Sequence, residues 1–208
     1  HRDLRTHVLL DSIVWGNIST DMGSQISVTN GYPYRRRPST LRIRNCDVQP
    51  GLDPNAVVEG PLDLVLLFDS TETMYDDLVR LKMAAGQIVD MVAAAMPDYR
   101  IAVADFKDFN DAAGANLGTA TDYEYRPVMP FTTDRSRIIN AINSIQAPAG
   151  SGGGVPDSVY SALMGAIDGN DLGGWRSGRA NRVILLISDA PPHDPEPPTG
   201  YSLAHVMD

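Results

Sequence analysis

Two nearly unbroken apolar runs, Leu62–Phe68 and Val183–Ile187, constrain this chain more than any other feature. A strand with one face in water alternates apolar and polar side chains, whereas a strand apolar at almost every position has both faces covered. Sheets covered on both faces are built from parallel strands, because each crossover lays a helix against one face or the other. The intervening sequence supplies such helices. From Asp76 to Met96, Leu78, Leu81, Lys82, Ala85, Ile88, Val89, Val92 and Met96 recur at three- and four-residue steps, and Pro97 stops the helix. Arg100–Phe106 reads as a second strand. Tyr125–Phe131 reads as an edge strand, because Pro127 and Pro130 cannot donate to a ladder. Thr133-Asp134 caps a helix over Arg137–Ile145, Pro156 in a first turn opens another through Ile167, and a last helix begins at Tyr201.

Strands alternating with helices predict an α/β fold, a doubly wound and mostly parallel sheet. Four strands are legible before Asp208, which predicts a domain truncated at its C-terminus with an open apolar edge beside 183–187. In doubly wound sheets ligands bind beyond the carboxyl ends of the strands, where the strand order reverses. That rule brings together the loops after Phe68 and Ile187, which carry Asp69 and Asp189.

Residues 1–54 read differently, as short β segments between turns: 12–17, 25–28 and 40–46. Pro50-Gly51-Leu52-Asp53-Pro54-Asn55 is turn-forming and marks a boundary, which leaves 55–208 as the main domain. Charge divides the same way. Residues 1–58 hold seven Arg against five Asp, and 59–208 hold ten Lys and Arg against 21 Asp and Glu. So acidic a second part repels nucleic acid and anionic membranes and suits cations. Cys46 is the single cysteine, which excludes an intrachain disulfide and a Cys-based zinc site, and it reads as a buried strand residue. No apolar run approaches the 18 or so residues of a membrane span. Asn17-Ile18-Ser19 matches a glycosylation sequon.

The chemistry concentrates in Asp69-Ser70-Thr71-Glu72-Thr73. One carboxylate and two hydroxyls at alternate positions are hard oxygen donors of the kind Mg²⁺, Mn²⁺ and Ca²⁺ take. A helix N-cap accounts for the same residues, but not for Asp189 at the matching end of the other buried strand. Gly150-Ser151-Gly152-Gly153-Gly154 lacks the strand and lysine context of a phosphate loop. His193-Asp194 sits in a proline-rich loop, and His1, His7 and His205 lack metal-ligand spacing, so the chain is read as a non-enzyme.

Asp69-Ser70-Thr71-Glu72-Thr73-Met74-Tyr75-Asp76-Asp77-Leu78 resembles the metal-site loop of von Willebrand factor type A domains, in the form found in integrin β subunits. Gly152-Gly153-Gly154-Val155-Pro156-Asp157 resembles the second metal loop of that family, and Ser188-Asp189-Ala190-Pro191-Pro192-His193 the third. Arg100–Asp108 matches the strand and loop after the first helix, so the resemblance runs from about Pro61 to the last residue. It implies a metal-ion-dependent adhesion site in which Asp69, Thr71, Thr73, Asp157 and Asp189 hold Mg²⁺, Mn²⁺ or Ca²⁺, directly or through water. An acidic side chain of a protein partner would complete the shell. Asp76 and Asp77 match an adjacent cation site, although first-turn acids favoured by the helix dipole look the same. Asp108 matches a ligand of a third site whose other ligands are replaced here by Gly152, Gly154 and Val155.

Residues 8–52, with an Ile-Val-Trp-Gly-Asn strand, a Gln-Ile-Ser-Val strand and an Arg-Asn-Cys-Asp-Val-Gln-Pro-Gly exit, resemble the last rungs of a bacterial right-handed parallel β-helix. An irregular β-rich leader is the alternative. The function expected from these resemblances is cation-dependent protein binding or adhesion on a secreted or surface-displayed bacterial protein. The alternatives are an accessory domain of a polysaccharide-acting β-helix enzyme and an intracellular assembly factor of the ATPase- or chelatase-associated kind.

Overall fold

The computed structural model describes residues 6–9, 60–110, 117–178 and 180–207, the first of these segments as backbone. Five strands form one sheet: β1 (Thr6–Leu9), β2 (Leu62–Asp69), β3 (Tyr99–Phe106), β4 (Arg126–Thr132) and β5 (Asn181–Ile187). Their order is β1-β5-β2-β3-β4, parallel throughout except for β4, which runs antiparallel to β3. The helices are α1 (Tyr75–Ala95), α2 (Arg135–Ser144), α3 (Val159–Asp168) and α4 (Leu203–Met207).

The two apolar runs are the neighbouring strands β2 and β5, paired from Leu62 opposite Asn181 to Phe68 opposite Ile187. Side chains alternate across the sheet, as strand geometry requires. Leu64, Leu66 and Phe68 pack with Leu78, Leu81 and Val89 of α1 and with Ile138 and Ile142 of α2. Val65 and Leu67 pack on the other face with Val159, Ala162, Leu163 and Ala166 of α3 and Val206 of α4. The result is a three-layer α/β/α unit. From β2 the chain steps outward through β3 and β4, then crosses back to β5 on the other side of β2. The strand order therefore reverses between β2 and β5.

Two ion-pair groups anchor the frame. Buried Asp63 accepts from Arg100 Nε at 2.9 Å and Nη2 at 2.5 Å, and from Arg176 N and Nε, both at 2.7 Å. Burial pushes its carboxyl upward, yet the hydrogen bonds from Arg100 and Arg176 hold it below the usual range. Buried Asp105 is met by both prongs of Arg126 and by the Tyr123 hydroxyl.

Three expectations from sequence change here. The edge beside β5 is not open, because β1 pairs with it from Thr6 opposite Arg182 to Leu9 opposite Leu185. A free row of backbone N–H and C=O groups is a template for another strand, and these four residues take that place. Pro156 does not stand in a helical first turn. The Val155–Pro156 peptide is cis and α3 starts at Val159. The intervening N–H groups are engaged elsewhere, Asp157 N by the Pro191 carbonyl and Ser158 N by that of Lys107. Finally, α2 begins at Arg135, with Asp134 accepting from Ser136 N and Arg137 N as its cap. The β segments at 12–17, 25–28 and 40–46, Cys46, the β-helix resemblance and the boundary near 50–55 lie outside the described residues.

Candidate metal centre

Three loops meet above the carboxyl ends of β2, β3 and β5. The first follows β2. Asp69 is fully buried, and its Oδ1 accepts from Thr71 N at 2.9 Å and Thr71 Oγ1 at 2.7 Å. Its Oδ2 accepts from Ser188 Oγ at 2.8 Å, which joins the β2 and β5 loops directly. Thr71 Oγ1 lies 3.2 Å from Thr73 Oγ1, and Thr73 Oγ1 donates to Asp189 Oδ1 at 3.0 Å. A continuous chain of oxygens thus runs Ser188–Asp69–Thr71–Thr73–Asp189. Asp69, Thr71 and Asp157 are buried and form a floor, while Thr73 and Asp189 are exposed at the rim.

The second loop brings Asp157. Its backbone is stitched to the third loop, Asp157 N donating to Pro191 O at 3.0 Å and His193 N to Asp157 O at 3.2 Å. Glycine is required nearby at Gly152, whose φ is +89° and where a Cβ would sit 2.6 Å from Thr71 Cγ2. Gly152 N donates to Asp122 Oδ2 at 2.8 Å, and Gly150 N donates to Glu72 at 2.7 Å, fixing the glycine loop beside Thr71.

The electrostatics are unfavourable as they stand. The Asp157 carboxyl faces that of Asp69, and its Oδ1 is buried with no donor among the described residues. Burial pushes Asp157 up to about 9, and the charges of Asp69, Asp108 and Asp189 add to the rise. Burial also raises Asp69, against the pull of its bonds to Thr71 and Ser188. Two facing carboxyls need either a shared proton or a cation between them. The donor set of carboxylates and threonine hydroxyls suits a hard divalent ion. Among the described residues no three His, Cys, Asp or Glu side chains close around one point, so the hydroxyls are essential to any such shell.

The remaining candidates separate. Asp76 and Asp77 lie in the first turn of α1, and Asp77 pairs with Arg80 at 3.4 Å. Burial raises Asp77, and the Asp189 and Asp76 charges push the same way. Asp108 is buried, and its Oδ1 contacts Phe109 N at 2.8 Å and His193 Nε2 at 3.1 Å. Its oxygen is thus answered by an imidazole of the third loop, a contact that the place of His193 in a proline-rich loop does not signal.

Other residues escaped the sequence reading because their roles are long-range. Ser188 reads as a spacer before Asp189. Buried Glu196 accepts from Tyr160 N at 2.7 Å, Ser161 N at 2.9 Å, Ser161 Oγ at 2.5 Å and Thr199 Oγ1 at 3.0 Å. It caps α3 from 36 residues away, in place of Ser158, whose Oγ instead donates to Lys107 O. The only available signal was a carboxylate in a loop that must return to the α3 side of the sheet.

A three-layer α/β/α unit whose loops gather Asp and Thr oxygens at the switch point defines a von Willebrand factor type A-type domain. Residues 57–196 match the family model of the integrin beta chain VWA domain, and the chain belongs to that family. Among solved structures, the chain is similar to the vWF domain of a type V pili tip protein from Porphyromonas gingivalis. Identity is 16% over 42% of this chain and 27% of that one, with a TM-score of 0.30. A three-domain N-terminal piece of the same pili tip protein matches at 19% identity over 42% of this chain and 14% of that one, with a TM-score of 0.28. The chain therefore spans about a quarter of the first and a seventh of the second. No curated protein matches the chain. No helix among the described residues is long and apolar enough to cross a membrane.

Proposed function

We propose that this domain is a divalent-cation-dependent protein-binding module, an adhesion domain of a secreted or surface-displayed bacterial protein, and not an enzyme. Asp69, Thr71, Thr73, Asp157 and Asp189 hold Mg²⁺, Mn²⁺ or Ca²⁺, directly or through water. The observation that carries this reading is the buried meeting of Asp157 with Asp69, where an oxygen lacks a donor. A cation bound there supplies positive charge and an open coordination position at the exposed rim. The chain's own residues do the rest: Ser188 and Thr71 aim Asp69, the Pro191–His193 backbone aims Asp157, and Thr73 steadies Asp189. An acidic side chain of a partner protein would enter from the rim. Asp76 and Asp77, in the first turn of α1, would hold a second, adjacent ion.

Calorimetric titration with Mn²⁺ tests the assignment. We expect tight binding that Asp69→Asn and Asp157→Asn each abolish. Unchanged Mn²⁺ binding in both variants contradicts it.

A further inference from the structure

We propose that Lys107 is a built-in counter-ion of this centre: a fixed positive charge that offsets the carboxylates while no cation is bound and so limits how tightly a divalent ion binds. The inference rests on the cation reading above. Lys107 directly follows β3 and is 4% exposed, a degree of burial that lysine almost never shows unless it is paired. Its Nζ donates to the carbonyl of Ser70 at 2.6 Å, and Ser70 lies between Asp69 and Thr71. Its own carbonyl accepts from Ser158 Oγ at 2.7 Å, and Ser158 follows Asp157. One residue therefore touches both of the loops that supply the buried floor of the site.

Burial pulls the Lys107 ammonium below its usual range, the carboxylates Asp122, Asp105 and Asp69 favour its charged form, and Arg126 opposes it, with the Tyr123 ring 5.8 Å from Nζ. Asp105 is already met by both prongs of Arg126. Asp122 and Asp69 are what remain, and Asp122 Oδ1 has no donor among the described residues. Yet no carboxylate of the described residues lies within ion-pair distance of Nζ. The ammonium acts on them through space, across a poorly screened interior. A neutral amide would serve the Ser70 carbonyl equally well and avoid burying a charge. The positive charge is thus accounted for by the acidic floor, not by the hydrogen bond.

This makes an unusual demand on a variant. Lys107→Gln removes the charge while keeping an N–H donor on a side chain one bond shorter, and it leaves the floor more negative. Its cation-free form should melt lower than the parent, while Mn²⁺ binds about tenfold tighter by loss of a nearby like charge. The Mg²⁺-induced rise in Tm should be larger than in the parent, because the ion replaces the missing charge. Lys107→Arg keeps the charge and should leave the affinity near that of the parent. A merely mechanical role moves affinity the other way, since a loosened loop binds the ion less well. Titration calorimetry with Mn²⁺ and melting in EDTA and in saturating Mg²⁺ decide between them. Equal or weaker Mn²⁺ binding by Lys107→Gln overturns the proposal, as does a variant that stays unfolded in saturating Mg²⁺. A parent chain that binds no cation defeats the cation reading itself, and this inference with it. A parent that binds normally beside a Gln variant that gains nothing defeats only the role given to Lys107.

Discussion

Replacing Asp157 by Asn should make the cation-free protein more stable at neutral and alkaline pH, although Asp157 is buried at the centre of the site. In the unfolded chain its carboxyl ionises near the ordinary value of 3.8, while in the folded chain burial against Asp69 holds it protonated up to about 9. Between those values the folded state holds one more proton than the unfolded state. Stability contributed by this group is therefore complete below about pH 4 and is lost as pH rises toward 9. The slope is at most about 1.4 kcal/mol per pH unit for one proton. The full span would exceed the stability of many domains, and water entry and small loop shifts relieve most of it, so we expect a gain of about 2 kcal/mol at pH 8. Asn has nearly the same shape, carries no charge and offers N–H donors to the facing Asp69 oxygen. Urea unfolding in EDTA from pH 5 to 9 measures this directly. The parent should lose stability steadily over that range and Asp157→Asn should lose less, with the curves furthest apart at high pH. An Asn variant less stable than the parent at pH 8 in EDTA would refute the electrostatic account of the floor.

Glu196→Ala strands the Tyr160 and Ser161 N–H groups and the Ser161 hydroxyl in the interior, and should cost about 2–4 kcal/mol in urea unfolding. Gly152→Ala places a methyl against Thr71 in a left-handed backbone, so it should destabilise by at least about 1 kcal/mol and weaken Mn²⁺ binding in calorimetry. Asp189→Asn, at the exposed rim, should shrink the Mg²⁺-induced rise in Tm while leaving the cation-free Tm unchanged or higher. Asp63 contributes in the opposite pH sense to Asp157. Its lowered value gives stability that is present above about pH 4 and lost as pH falls through the folded value, so Asp63→Asn should flatten the acid limb of a pH-stability curve while lowering its plateau.

The frame was legible because its signals are local. Apolar residues at nearly every position of Leu62–Phe68 leave no face for water, and Pro127 with Pro130 confines β4 to an edge. Asp69 and Asp189 were legible as a pair because β2 and β5 are neighbours whose ends lie together. What could not be read depends on where distant backbone groups find partners. Nothing around Pro156 shows that Asp157 N and Ser158 N are occupied by Pro191 and Lys107, which delays α3 to Val159. Glu196 reads as a solvated acid in a proline-rich loop until α3 is seen to begin on it. His193 lies 85 residues from Asp108, and no spacing rule joins them. Asp69 reads in sequence as lying beyond its strand, yet it is the last residue of β2 and fully buried. Asp69→Ala therefore removes acceptors from Thr71 and Ser188 as well as a charge, and Asp69→Asn is the cleaner probe of the ion.

The central claim is that Asp69, Asp157 and Asp189, together with the Thr71 and Thr73 hydroxyls, hold a divalent ion directly or through water, and thermal unfolding of the chain tests it most directly. A ligand bound only by the folded state at a hundredfold excess over its Kd stabilises by about 2.7 kcal/mol. For a domain of this size that corresponds to a rise in Tm of about 5–10 °C. The account expects such a rise with Mg²⁺, Mn²⁺ or Ca²⁺, reversed by EDTA and absent from Asp157→Asn. A Tm indifferent to millimolar concentrations of all three ions would contradict it.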